Sequence, residues 1–309
     1  MWSCRAGVVG LGLLIPALVV ASGVFEREAN GQDATTSPDK DNAAKRAERL
    51  EEMDRVAGTI EISSVDNQGK ETPAVMSEKP LLRWTDPTRE FSDGGLWVWR
   101  VSGRPVAAVG IELYAWWSLE FASLSPGVVR GKASEVRWTP QKGVAFKDVP
   151  GAPVPAADEA GRLRQMRELA TRFVAREYWV GGNGQHYALR LLTRPLDRYA
   201  DPANGVVDGS LFAFAHGTNP EILLIVEAHR NGDKPPKWSF AAAPLSHAEV
   251  ALRIGTQDVW TSPSKDAPNN PRPEDPYFDR LTPRLPAGRS RPHQSSLRLD
   301  SLRNPGKSE

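Results

Sequence analysis

At 309 residues, with 39 lysines and arginines against 38 aspartates and glutamates, the chain carries a net charge of +1. A balance this even excludes the electrostatic footprint of a nucleic-acid binder. The one cysteine, Cys4, sits ahead of an apolar run, so the chain beyond that run has no disulfide framework, cysteine-ligated zinc or catalytic thiol.

Residues 1–5 hold one positive side chain, and residues 6–25 are apolar but broken by Gly7, Gly10, Gly12 and Pro16. That shape predicts a secretory signal over 1–31, cleaved after Ala21, Gly23 or Gly31. The product is then periplasmic, cell-surface or secreted. Left uncleaved, the run anchors the chain in the inner membrane. Residues 32–41 are small and polar and read as a disordered leader.

Residues 42–57 place Ala43, Ala47, Leu50, Met53 and Val56 on one stripe, which predicts an amphipathic helix closed by Gly58. A strand over 59–65 and a turn at 66–69 follow. Residues 81–84 form a strand stopped by Asp86-Pro87. A hairpin then pairs 95–101 with 106–114 about Ser102-Gly103-Arg104-Pro105, and strands follow over 117–124 and 134–138. Prolines at 140, 150, 153 and 155 make 140–157 a linker.

Asp158 is the expected cap of a second helix. Its stripe of Leu163, Met166, Leu169 and Phe173 runs on to Glu177 or Tyr178, and the glycines of 181–184 turn the chain. Residues 185–193 are a strand whose Leu191-Leu192 echoes Leu81-Leu82. A second hairpin, 210–215 with 221–229, is followed by strands at 238–243, 249–254 and 259–260. The proline- and arginine-rich residues 263–309 cannot bury a core and read as a disordered tail.

Residues 93–125 recur at 208–246. Asp93-Gly94, Leu96, Pro105 and Glu112 match Asp208-Gly209, Leu211, Pro220 and Glu227. Trp117-Ser118, Ala122 and Leu124-Ser125 match Trp238-Ser239, Ala243 and Leu245-Ser246, and Trp138-Thr139 matches Trp260-Thr261. The pattern predicts an α+β fold: two similar helix-plus-antiparallel-meander units, 42–139 and 158–262, related by internal duplication. The meanders either form separate sheets or join into one sheet or partly closed barrel.

Chemistry-bearing residues are sparse. Glu227 and His229 stand two apart on a strand and leave the same face, so they are candidates for metal binding or proton sharing. His186 is the candidate third group, with His216 and His247 behind it. Together they define a hydrolase or metal-dependent enzyme as the alternative function. Trp97 and Trp99 answer to Phe212 and Phe214 and read as paired core layers. Trp116, which has no counterpart, and Trp117 are the candidate ligand contacts. The leading expectation is an exported, non-catalytic binding or structural module that takes a protein or small-molecule ligand. It involves no nucleic acid, no metal and no cofactor, and touches membrane only through the N-terminal segment.

The run Asp93-Gly94-Gly95-Leu96-Trp97-Val98-Trp99, with Gly103-Arg104-Pro105 and Glu120-Phe121-Ala122-Ser123-Leu124-Ser125, resembles a large group of uncharacterised exported proteins of planctomycete bacteria. Pro150-Gly151-Ala152-Pro153, Arg162-Leu163-Arg164-Gln165-Met166-Arg167 and Asp208-Gly209-Ser210-Leu211-Phe212-Ala213-Phe214 are similar to further motifs of that group. The similarity covers roughly residues 81–263. It implies export and a bacterial source, and it assigns no reaction and no catalytic residue.

Overall fold

The computed structural model describes residues 38–86, 91–113, 117–179, 185–232, 234–264 and 272–282. The expected signal, most of the expected leader, Trp116, the expected turn at 181–184 and most of the expected tail lie outside the described residues. Contacts divide the chain into residues 1–41 and a body from Asn42 onward, and the architecture below is that of the body. Among the described residues no helix is long and apolar enough to cross a membrane.

Helix α1 (Pro38–Ala57) leads into β1 (Ile60–Val65), β2 (Glu71–Pro73), β3 (Val75–Met76) and β4 (Leu82–Asp86). The first hairpin is β5 (Phe91–Val101) and β6 (Arg104–Leu113), followed by β7 (Trp117–Ser123), β8 (Val128–Ala133) and β9 (Val136–Trp138). After β10 (Lys147–Asp148), helix α2 (Glu159–Ala170) opens on the predicted cap, with Gly161 N–H donating to Asp158 Oδ1 at 2.7 Å. Strands β11 (Phe173–Tyr178) and β12 (His186–Asp201) lead to the second hairpin, β13 (Val206–His216) and β14 (Asn219–His229). Strands β15 (Lys237–Pro244), β16 (Glu249–Ile254), β17 (Gln257–Ser262) and β18 (Tyr277–Thr282) complete the chain.

The expectation of α+β helix-plus-meander units is wrong. The protein is mostly antiparallel sheet, 56% strand against 14% helix, and it includes a sheet curled into a half-barrel. Strands run β10-β15-β14-β13-β12-β11-β16-β17 in one eight-stranded sheet. The first hairpin's sheet runs β18-β7-β6-β5-β3, with β4 also on β5 and the C-terminal β18 at its edge, and β2-β1-β8-β9 form a separate sheet. The extra strands come from segments read as helix, linker or tail. Phe173 to Tyr178 alternates buried and less buried positions as β11, so α2 stops at Ala170 although its apolar spacing continues. Strand β10 arises in the Pro-rich linker and β18 in the expected tail. They take matching edges: Lys147 opposes Phe240 and Arg280 opposes Leu119, positions that the echo aligns.

Both faces of each hairpin sheet are buried, which explains near-continuous apolar strands such as β14. One face of the first hairpin meets α1 through Trp97, Trp99, Ile111, Trp117 and Met53. The corresponding face of the second meets α2 through Phe212, Phe214, Val226, Trp238 and Met166. The opposite faces meet each other: Leu96, Val98, Ala108 and Leu124 share a core with Leu211, Ala213, Leu223, Ile225 and Leu245.

Each helix is tied to its sheet by one buried aspartate. Arg83 grips Asp93 at 2.8 and 2.6 Å, and Arg49 of α1 adds a bond at 3.1 Å. Arg198 grips Asp208 at 2.9 and 2.7 Å, and Arg162 of α2 adds one at 2.9 Å. The same arginines reach back to the helix backbone, Arg83 to the Arg46 carbonyl and Arg198 to the Glu159 carbonyl. Beside each clamp an aromatic donor meets a buried glutamate: Trp84 Nε1 to Glu112 Oε1 at 3.1 Å, and Tyr199 Oη to Glu227 Oε1 at 2.9 Å. Gly94 and Gly209 make room for these rings. A Cβ on Gly94 would lie 2.5 Å from the Trp84 ring, and one on Gly209 would lie 2.7 Å from the Tyr199 ring.

Candidate functional site

The turn of the first hairpin carries Arg104 across to the second. Its guanidinium binds Glu227 with Nε at 2.9 Å and Nη2 at 3.0 Å, a bidentate pair between residues 123 apart in sequence. Glu227 is 1% exposed and also accepts the Tyr199 hydroxyl. Burial raises its carboxyl above the ordinary range, against the pull of Arg104 and the Tyr199 hydrogen bond. The same burial, with the Glu227 charge beside it, pushes the Tyr199 phenol well up.

This pair lies in the wall of a cleft of about 520 Å³ lined by Arg104, Phe146, Lys147, Glu227, His229, Lys234 and Lys237, with Pro126, Asp148, Asn231, Pro235 and Ser239. Phe146 lies under the Arg104 guanidinium, 5.1 Å from its carbon, and holds the head group over an apolar surface. His229 Nε2 donates to the Asn204 carbonyl at 3.0 Å. Lys147 Nζ donates to the Val259 carbonyl at 2.8 Å. Lys234 and Lys237 are exposed on the rim.

Of the residues expected to act together, Glu227 and His229 do share this cleft. His186 does not reach it. It pairs with Tyr178 and stacks on that ring at 4.6 Å. His186 precedes Arg190, which opposes Ala215 at the turn end of β13, whereas His229 opposes Val206 at the other end. Some thirteen residues of strand at about 3.3 Å each separate the histidines by roughly 40 Å along the sheet. The trio of Glu227, His229 and His186 is therefore not a site. Trp117 is 0% exposed in the α1-side core, so it packs and meets no ligand. His247 faces Asp279, Nε2 to Oδ2 2.8 Å, and His216 pairs with Glu177, Nδ1 to Oε2 3.0 Å.

Arg104 was missed because its partner comes from the other hairpin. The aligned echo held the signal, since Asn219 stands where the first copy has Arg104. Glu177 and Glu221, which gather with His216 at the opposite end of β14, were hidden by reading β11 as helix. Compared with family models, curated proteins and solved structures, the chain matches none.

Proposed function

We propose that the chain is an exported, non-catalytic binding module whose ligand is a small anionic molecule seated in the Arg104–Glu227 cleft. The cleft's charge carries the reading. Four cationic side chains, Arg104, Lys147, Lys234 and Lys237, line it with two carboxylates, Asp148 and Glu227, and Glu227 is already matched by Arg104 and the Tyr199 hydroxyl. Its volume falls in the range of small-ligand pockets, and Phe146 and the two prolines supply an apolar floor. Glu227 and His229 are both engaged, with Arg104 and Tyr199 and with the Asn204 carbonyl, which fits a scaffold of the cleft better than a proton-transfer pair. Export rests on the N-terminal apolar run and on the resemblance to exported planctomycete proteins.

Citrate and inorganic phosphate serve as probes. Saturable calorimetric binding that K234E/K237E weakens at least tenfold supports the cleft, whereas no binding, or equal binding by the variant, overturns it. Expression from the full-length gene tests export separately. A periplasmic product beginning after Ala21, Gly23 or Gly31 supports it, and an intact N-terminus in the membrane fraction favours the anchor.

A further inference from the structure

Two Asn-Gly pairs, Asn204-Gly205 and Asn231-Gly232, lie among the described residues. Such a pair carries its own electrophile and nucleophile. The glycine backbone nitrogen can close on the asparagine Cγ, because glycine has no Cβ to obstruct the approach and its φ is free to turn. How tightly the fold holds those two groups then decides whether the pair reacts.

Asn204-Gly205 is held at both. Asn204 ends the 3₁₀ turn Pro202–Asn204, its Nδ2 donates to Asp201 Oδ2 at 2.7 Å, and its carbonyl accepts His229 Nε2 at 3.0 Å. The Gly205 N–H donates to the Pro202 carbonyl at 3.1 Å, and the Gly205 carbonyl accepts the Arg230 N–H at 2.8 Å. The attacking nitrogen and the amide it must reach are both committed to other partners.

Asn231-Gly232 is held at neither. It lies between β14 and β15 with both residues exposed, and Gly232 has a φ of 61°, a conformation that leaves the turn to glycine. Among the described residues no hydrogen bond ties the Asn231 side-chain amide or the Gly232 N–H. The carbonyl oxygen of the peptide that joins them accepts the Lys234 N–H at a long 3.4 Å. When the Gly232 nitrogen gives up its proton, the charge is shared with that oxygen, so the Lys234 N–H stands where charge develops. The exposed side chains of Arg230, Lys234 and Lys237 make the loop cationic and favour an anionic product.

We propose that Asn231 is a deamidation site whose product lowers the affinity of the anion cleft, an inference that rests on the cleft reading above. The Gly232 nitrogen bonds to Asn231 Cγ, the Cγ–Nδ2 bond breaks, and the nitrogen leaves as ammonia, carrying the proton that Gly232 gave up. Water then opens the cyclic imide at either carbonyl, which leaves an aspartate or an isoaspartate at position 231. Water is the one co-reactant, and nothing is oxidised or reduced. Asn231 lines the cleft together with Lys234 and Lys237, so the new carboxylate joins Asp148 and Glu227 there and engages the cations that an anionic ligand needs. One like charge at a partly screened rim weakens anion binding roughly tenfold.

The purified chain is incubated at pH 8 and its peptides are mapped by mass spectrometry, with isoaspartate scored by enzymatic methylation. The Asn231 peptide should convert from amide to acid, while the Asn204 peptide in the same sample stays an amide until urea unfolds the chain. Conversion at Asn204 as fast as at Asn231 in the folded chain, or conversion at neither, overturns the site. The incubated chain and N231D should both bind citrate and phosphate about tenfold more weakly than fresh wild type, and N231Q should hold whatever affinity it starts with through the same incubation. Equal binding by N231D and wild type overturns the link to the cleft. The two readings fail separately: absence of binding by fresh wild type removes the cleft and this consequence with it, whereas the mass map judges the chemistry at Asn231 without any ligand.

Discussion

The two hairpins agree where a helix meets a sheet and differ at their ends. Asp93 and Asp208 each take a bidentate arginine from the preceding strand and a second arginine from a helix. Trp84 and Tyr199 each send a donor to Glu112 or Glu227. These matched parts hold any copy together, so they carry little information about function. At the hairpin ends Arg104 corresponds to Asn219 in the aligned repeat, and Val101 and Val106 correspond to His216 and Glu221. One end has become a cationic cleft and the other an acidic cluster. The residues that differ are those a duplicated frame does not need twice.

Removing the clamp aspartates is expected to give the largest effect. Arg162 is 9% exposed, so D208A strands a buried guanidinium and should cost about 3–5 kcal/mol by urea denaturation. In D93A the released arginines, Arg46, Arg49 and Arg83, are 22–42% exposed at the side chain and recover water, so the loss should be about half as large. Equal losses would mean that burial of the arginine is not what separates the copies.

Next comes R104N, which writes the Asn219 residue into the first hairpin. Glu227 keeps only the Tyr199 hydroxyl, and a buried carboxylate that loses its ion-pair partner costs on the order of 3 kcal/mol. The loss should be smaller at pH 4 than at pH 8, because protonation spares the unpaired charge. A pH-independent loss would show that Arg104 acts by packing on Phe146 alone.

Smaller again are G94A and G209A. Each added methyl meets a ring fixed in the core between the sheets, so each should destabilise by about 1–3 kcal/mol. The two values should agree within experimental error, since the clearances are 2.5 and 2.7 Å. A neutral G209A would show that Tyr199 can swing away from Glu227.

The paired parts were readable in sequence because local chemistry sets them. Asp-Gly, the turn after Val101 and the Asp158 cap all act over a few residues. The strand before each hairpin was not. Leu191-Leu192 looks like Leu81-Leu82, yet Leu82 opposes Leu96 and Asp197 opposes Leu211, so the true match of Leu82 is Asp197. The register shift between Leu192 and Asp197 displaces the pattern, and no periodicity reports a bulge. Strand β10 escaped notice because two residues leave no alternation, and β18 because it lies in a proline-rich stretch whose composition reads as a tail. Glu227 and His229 were legible as a same-face pair. Arg104, Tyr199 and the Glu177 cluster depend on pairings between distant segments.

The smallest expected effect tests the sheet edge that β18 supplies. Glu120 on β7 corresponds to Ala241 on β15, so the first copy carries a carboxyl where the second is apolar. Tyr277 of β18 donates its hydroxyl to Glu120 Oε1 at 2.8 Å. Burial, reinforced by the charge of Glu112 and then by Asp279 and Glu221, raises the Glu120 carboxyl well above its ordinary 4.5. The folded chain then holds a proton that the unfolded chain releases. Stability from this group is complete below pH 4.5 and declines as pH climbs through the raised folded value, by at most about 1.4 kcal/mol per pH unit for one proton. E120Q keeps an acceptor for Tyr277 and cannot ionise. Its stability, from urea melts between pH 4 and pH 8, should exceed that of the wild type by a margin that grows with pH. A constant margin would mean that β18 leaves Glu120 in water, and that the edges carrying β10 and β18 are alike after all.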